Sequence, residues 1–159
     1  MSEHDKVIEV HADWIGLKAA SRIGTLFAHE SRGKEVFSFE YDETWLGRND
    51  NRILDPDLRL FKGPQYTGAG KLNFGLFMDS SPDRWGQVLM RRRESIQARK
   101  ERREPLRLGE SNYLLGVYDK NRMGALRFCE RGSQLFQNSD ESMQRRHGLC
   151  CGISNMRAC

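Results

Sequence analysis

The sequence predicts an α+β fold: a small antiparallel sheet or partly open barrel packed by two helices, followed by a poorly ordered C-terminal tail. Three observations carry that reading. Residues 7–41 contain three runs of strand character joined by short polar segments. Ser81-Pro82-Asp83 precedes a run whose apolar residues recur at helical spacing. Beyond about residue 134 the apolar residues lose any regular period. A chain of 159 residues is long enough for one domain with a real core and too short for two. The domain is therefore placed at 1–133 and the tail at 134–159.

Taking the elements in order, residues 7–15 (VIEVHADWI) alternate apolar and polar side chains as a half-buried strand does, and Ile15-Gly16-Leu17 turns the chain. Residues 23–27 and 36–41 supply two more strands around the polar, Gly33-containing connection. Consecutive strands with short loops pair antiparallel, with Phe37, Phe39 and Tyr41 sharing one face. Residues 47–73 are dense in turn formers (Asp55-Pro56-Asp57, Gly63-Pro64, Gly68-Ala69-Gly70), leaving room for one strand at 58–61. The main helix is expected to use Ser81 as its cap, Pro82 as its first helical residue and Asp83 in its first turn, where the dipole favours a carboxylate. Trp85, Val88, Leu89 and Ile96 then form an apolar face predicted to pack in the core, with the arginines opposite. Pro105 is expected to close this helix. A second helix at 111–117 should bury Tyr113, Leu114 and Leu115, and Asp119-Lys120-Asn121 should turn the chain into a last strand at 125–128.

Hydrophobic residues make up 38% and charged residues 30%, which describes a folded chain rather than a disordered one. The net charge of +4 is concentrated: residues 84–107 hold nine Lys or Arg against three acids, so this segment carries +6 and the remainder −2. No apolar run approaches the ~20 residues of a membrane span. The first residues, MSEHDKVIEV, have no signal-peptide character. A cytoplasmic protein with reduced Cys129, Cys150, Cys151 and Cys159 is expected.

Several motifs occur together in a set order: the early strands; Phe39-Glu40-Tyr41-Asp42-Glu43-Thr44-Trp45-Leu46; Asp79 to Gly86, ending in Pro-Asp-Arg-Trp-Gly; and Gly124-Ala125-Leu126-Arg127-Phe128. Over roughly residues 6–130 the chain resembles the N-terminal subdomain of the HipA family, the serine/threonine kinase toxins of bacterial toxin–antitoxin systems. The resemblance implies a module that lies ahead of a kinase core, packs on it, and helps to contact the antitoxin or a neighbouring protomer. The chain has no glycine-rich phosphate loop followed by a basic residue. It also lacks a catalytic-loop aspartate with a downstream asparagine and an Asp-Phe-Gly-like triplet. No catalytic residue, cofactor or metal is therefore assigned, and the chain reads as truncated before the kinase core, with a frameshift or early stop as the expected cause. Some systems of the family encode this module as a separate small protein that neutralises a kinase on another chain.

The expected function is accordingly that of a non-catalytic protein-binding module, docking on a HipA-like kinase domain or an antitoxin. The contact residues are placed at Ser81, Asp83, Arg84, Trp85, Arg91 and Arg92, with the 63–73 loop as a second contact. The alternatives are an inert fragment of a truncated kinase and an accessory protein with non-specific nucleic-acid binding. Each residue also has a plainer reading. Ser80 and Ser81 could present hydroxyls to a phosphate, but capping explains them. Trp85 could insert into a partner's cleft, but its spacing favours the core. The arginine run could follow a phosphate backbone, but the interspersed Glu94, Glu101 and Glu104 favour a solvated helix face, so nucleic acid is not expected as a partner of this chain alone. His147 with Cys150, Cys151 and Cys159 fits no zinc spacing. Asp79 and Asp83 have no nucleophile or metal to work with.

Overall fold

The structure, a computed structural model, describes residues 5–17, 19–31, 33–49, 53–68, 70–117 and 124–132. Its fold is α+β. Strands β1 (Lys6–Ala12), β2 (Ser21–Ser31), β3 (Lys34–Tyr41), β4 (Gln65–Tyr66) and β5 (Leu126–Glu130) form one open sheet in the order β4-β3-β2-β1-β5. Every neighbouring pair is antiparallel. Among the described residues there are four helices: α1 (Glu43–Leu46), α2 (Gly75–Asp79), α3 (Arg84–Glu101) and α4 (Glu110–Gly116). The tail predicted at 134–159 and the turn predicted at 119–121 lie outside the described residues.

The period of two places Ile8, Val10 and Ala12 of β1 on the inner face beside Leu26 and Ala28 of β2 and the predicted Phe37, Phe39 and Tyr41 of β3, all buried. The register of β1 against β2 slips between Val10 and His11, so Ile23 is the extra residue of a bulge and is also buried. Gly24 is required beside it. A Cβ there would collide with the Phe39 ring and the Glu40 carbonyl, so the space belongs to the aromatic side chain.

Three short helices cover this face. Phe77 of α2 meets Phe39 at 5.4 Å, Phe74 at 5.8 Å and Phe128 of β5 at 6.0 Å between ring centroids. Trp45 of α1 packs edge-on against Trp14 at 5.7 Å. Leu114 and Leu115 of α4 join the same core. Helix α4 is held to the sheet by Glu35 of β3, whose carboxylate accepts from the Ser111 backbone N–H at 3.0 Å and from the Ser111 hydroxyl. Lys6 of β1 donates to that same hydroxyl at 2.9 Å. A side chain on β3 thus supplies the cap that Gly109, at the start of α4, has no atoms to make.

The sequence did not announce α1 and α2, which are too short for a helical period to show. Both are held by carboxylates. Asp42 accepts from Thr44 N at 2.9 Å to cap α1. Asp55 accepts from Asp57 N at 2.8 Å, closing its own turn, and from Leu76 N at 2.7 Å in the first turn of α2. The strand expected at 58–61 is also corrected. Leu58 forms an isolated bridge with Asp55, the Arg59 backbone N–H and C=O are taken by the Gln65 side-chain amide in two 2.8 Å hydrogen bonds, and the pairing with β3 is made by β4.

Candidate functional site

Helix α3 departs from expectation at its start, its face and its end. Asp83, not Ser81, is the N-cap: its carboxylate accepts from Gly86 N at 2.7 Å. Ser81 still belongs to the end of α2, where its N–H donates to Met78 O and its hydroxyl to Phe77 O, both at 3.0 Å. Ser80 likewise donates to Leu76 O at 3.1 Å. Both hydroxyls therefore turn back toward α2, and neither plays the capping or the phosphate-presenting role at α3. Arg102 ends the helix in the left-handed region at φ 54°, three residues before Pro105. Arg103 secures that end, pairing with Glu94 and Glu101 while Glu94 also accepts from Leu106 N at 2.9 Å.

The face is inverted relative to the sequence reading. Trp85 is 67% exposed, Ile96 47% and Val88 38%, and of the helix's 18 residues Ala98 is the buried one. At 3.6 residues per turn, Trp85, Leu89, Arg92 and Ile96 line one side, and Glu94 and Ala98 the opposite one. The body-facing side is anchored at Ala98 and at Met90, whose side chain occupies the space beside Gly116 of α4. The predicted apolar stripe thus exists, but its Trp85, Val88 and Ile96 are exposed and its Leu89 is half-buried rather than in the core.

Among the predicted contact residues, Trp85 and Arg92 share this outward face. Arg84 and Arg91, seven residues apart, share the side bordering it, and all four are exposed. Asp83 is exposed but committed to capping, and Ser81 faces α2, so neither contributes a group to the stripe. The 63–73 loop exposes Tyr66 (66%) and Leu72 (60%) and buries Asn73, whose side-chain Oδ1 accepts from Phe74 N at 2.9 Å. Asp79 is exposed, and its pairing with Asp83 for acid–base work gains nothing, because the Asp83 carboxylate is taken by the helix. Burial lowers the Arg93 pKa, whereas the two carboxylates facing Arg103 raise its own.

A groove beside α2 is lined by Asp55, Asp57, Lys71, Asn73 and Met78. Its polar groups are already used: Asp55 holds two backbone amides, and Lys71 pairs with Asp57. The fold also gathers metal-ligating side chains that sequence reading did not connect, namely Glu9, His11 and Cys129. Glu9 and His11 are two apart on β1, a placement the strand period does predict. Their meeting with Cys129 depends on β1–β5 pairing across more than a hundred residues, for which the sequence carries no local signal. The tail group of His147, Cys150, Cys151 and Cys159 lies outside the described residues.

No protein-family model matches the chain, and no curated protein or solved structure matches it. Among the described residues no helix is long and apolar enough to cross a membrane.

Proposed function

We propose that this chain is a non-catalytic protein-binding module of a HipA-like toxin–antitoxin kinase system, docking through the outward face of α3 on a kinase core or its antitoxin. The carrying observation is that face: an 18-residue helix turns Trp85, Val88 and Ile96 to the outside and buries Ala98. Isolated helices of this length are marginal in water, and most gain their stability from packing an apolar face. Such a stripe, with apolar side chains at i, i+3, i+4 and i+11 counted from Trp85, suits a helix laid into an apolar groove. Tryptophan and arginine are also the residue types that dominate interface energetics. The resemblance of residues 6–130 to the HipA N-terminal subdomain supplies the partner class.

The test is co-purification of the chain with a HipA-like kinase core and its antitoxin from the same cell, followed by a phosphorylation assay on the mixture. A stable complex with reduced kinase activity supports a neutralising role. Trp85→Ala should weaken that complex by about 2 kcal/mol, roughly 30-fold. The same outward stripe favours a second reading, the inert kinase fragment, since a helix separated from its covering domain presents an apolar face and self-associates. Absence of a complex, together with concentration-dependent self-association abolished by Trp85→Ala, would favour that fragment.

A further inference from the structure

The outer face of the sheet, opposite the aromatic core, carries a group of side chains that has no role in the binding of partners by α3. Alternation along β1 sends Ile8, Val10 and Ala12 inward and Glu9 and His11 outward. Antiparallel pairing places Cys129 of β5 directly across from Glu9. The Cys129 sulfur lies 3.8 Å from Glu9 Oε2 and 4.0 Å from His11 Nδ1, and the three candidate donor atoms all fall within 4.8 Å of one another. A tetrahedral ion with a metal–sulfur length of ~2.3 Å and metal–nitrogen and metal–oxygen lengths of ~2.0–2.1 Å requires donor separations of about 3.3–3.6 Å. The present separations exceed those values by no more than about 1.5 Å, a difference on the scale of side-chain rotation.

We propose that Glu9, His11 and Cys129 form a binding site for a divalent transition-metal ion, with Zn²⁺ the best fit. One thiolate, one imidazole and one carboxylate make a donor set suited to zinc and unsuited to magnesium or calcium, which prefer oxygen alone. Cys129 is 5% exposed while Glu9 and His11 are half-buried, so the site opens to solvent on one side and leaves a fourth position for water. Two arginines stand nearby and oppose a cation, but both have carboxylate partners elsewhere. Arg22 lies 3.8 Å from Glu9 and also 3.7 Å from Asp42, and Arg127, across from His11 in the register, pairs with Asp13 at 3.2 Å. Burial holds the His11 pKa below the usual histidine value, which favours the neutral ring that ligates. Burial and the Glu9 charge raise the Cys129 pKa, so forming the metal–sulfur bond sends the thiol proton to solvent.

The test uses the full chain with His147→Ala, Cys150→Ser, Cys151→Ser and Cys159→Ser, so that the tail offers no competing ligands, and titrates it with Co²⁺ and then Zn²⁺. One equivalent of Co²⁺ should give a thiolate-to-cobalt charge-transfer band that Zn²⁺ abolishes, with about one proton released per ion at neutral pH. Cys129→Ser should remove the band. Glu9→Gln and His11→Ala should each weaken binding at least about tenfold, which keeps the proposal testable should Cys129→Ser not fold. A chain without the band, a band unaffected by Cys129→Ser, or unchanged affinity in both Glu9→Gln and His11→Ala would overturn it.

Discussion

Trp85 has the chemistry of a core residue and the exposure of a surface one, and a single substitution separates the two roles. Because it is 67% exposed, Trp85→Ala should alter stability by less than about 0.5 kcal/mol in urea denaturation while weakening the partner complex. A buried tryptophan would instead cost about 3–5 kcal/mol on the same change. Asp83 and Ser81 raise a related question at the helix start, since both have capping side chains and the sequence selected the wrong one. The end of α2 decided the matter by holding the Ser81 N–H and hydroxyl. Asp83→Ala should therefore lose about 1 kcal/mol, and Ser81→Ala distinctly less, in the same denaturation experiment. Asp42 adds a pH dependence. Hydrogen bonds from Thr44, then the nearby Arg22, hold its carboxyl below the usual aspartate range. A depressed folded pKa contributes stability that is full above the unfolded aspartate value of about 3.9 and is lost as pH falls through the folded value. Asp42→Ala should thus cost about 1 kcal/mol at neutral pH, a deficit that shrinks below about pH 4; a deficit constant from pH 7 to 3 would contradict this assignment.

At the scale of elements, α3 and α4 differ in how they are held. Helix α4 is short but buries Ser111, Tyr113, Leu114 and Leu115 and is tied to β3 by Glu35. Helix α3 is long but rests on Ala98 and Met90. Native-state hydrogen exchange should therefore find the amides of α3 opening well before those of β1, β2 and β3, with binding of a partner at its outer face raising their protection. Equal protection in α3 and the central strands would mean that α3 is held more firmly than its burial indicates. The period of 3.6 was legible in Trp85, Val88, Leu89 and Ile96, and it correctly marked a helix with an apolar stripe. Period alone cannot say whether such a stripe meets this domain or another surface, because the pattern of side chains is the same in both cases.

For the whole molecule, the uneven charge has a consequence for association. The outward stripe includes Arg92 and is bordered by Arg84 and Arg91, so association with the proposed partner through an acidic surface should slow as salt rises from 50 to 500 mM (about 13 to 4 Å of Debye length), with a smaller effect on dissociation. Stopped-flow association rates independent of salt would assign the contact to another face. What the sequence by itself determined is the class of fold and the succession of its first three strands, two longer helices and last strand, though not α1, α2 or β4. Those elements show in local patterns of side chains, each set by whether successive side chains must reach one side of a strand or of a helix. Only the tertiary structure decided which helix caps and which faces were used. It selected Asp83 over Ser81, lent Glu35 of β3 to α4, turned the α3 stripe outward and brought Cys129 to Glu9 and His11. Those outcomes depend on which distant backbone arrives alongside, and packing of the whole sheet, rather than any local pattern, sets that.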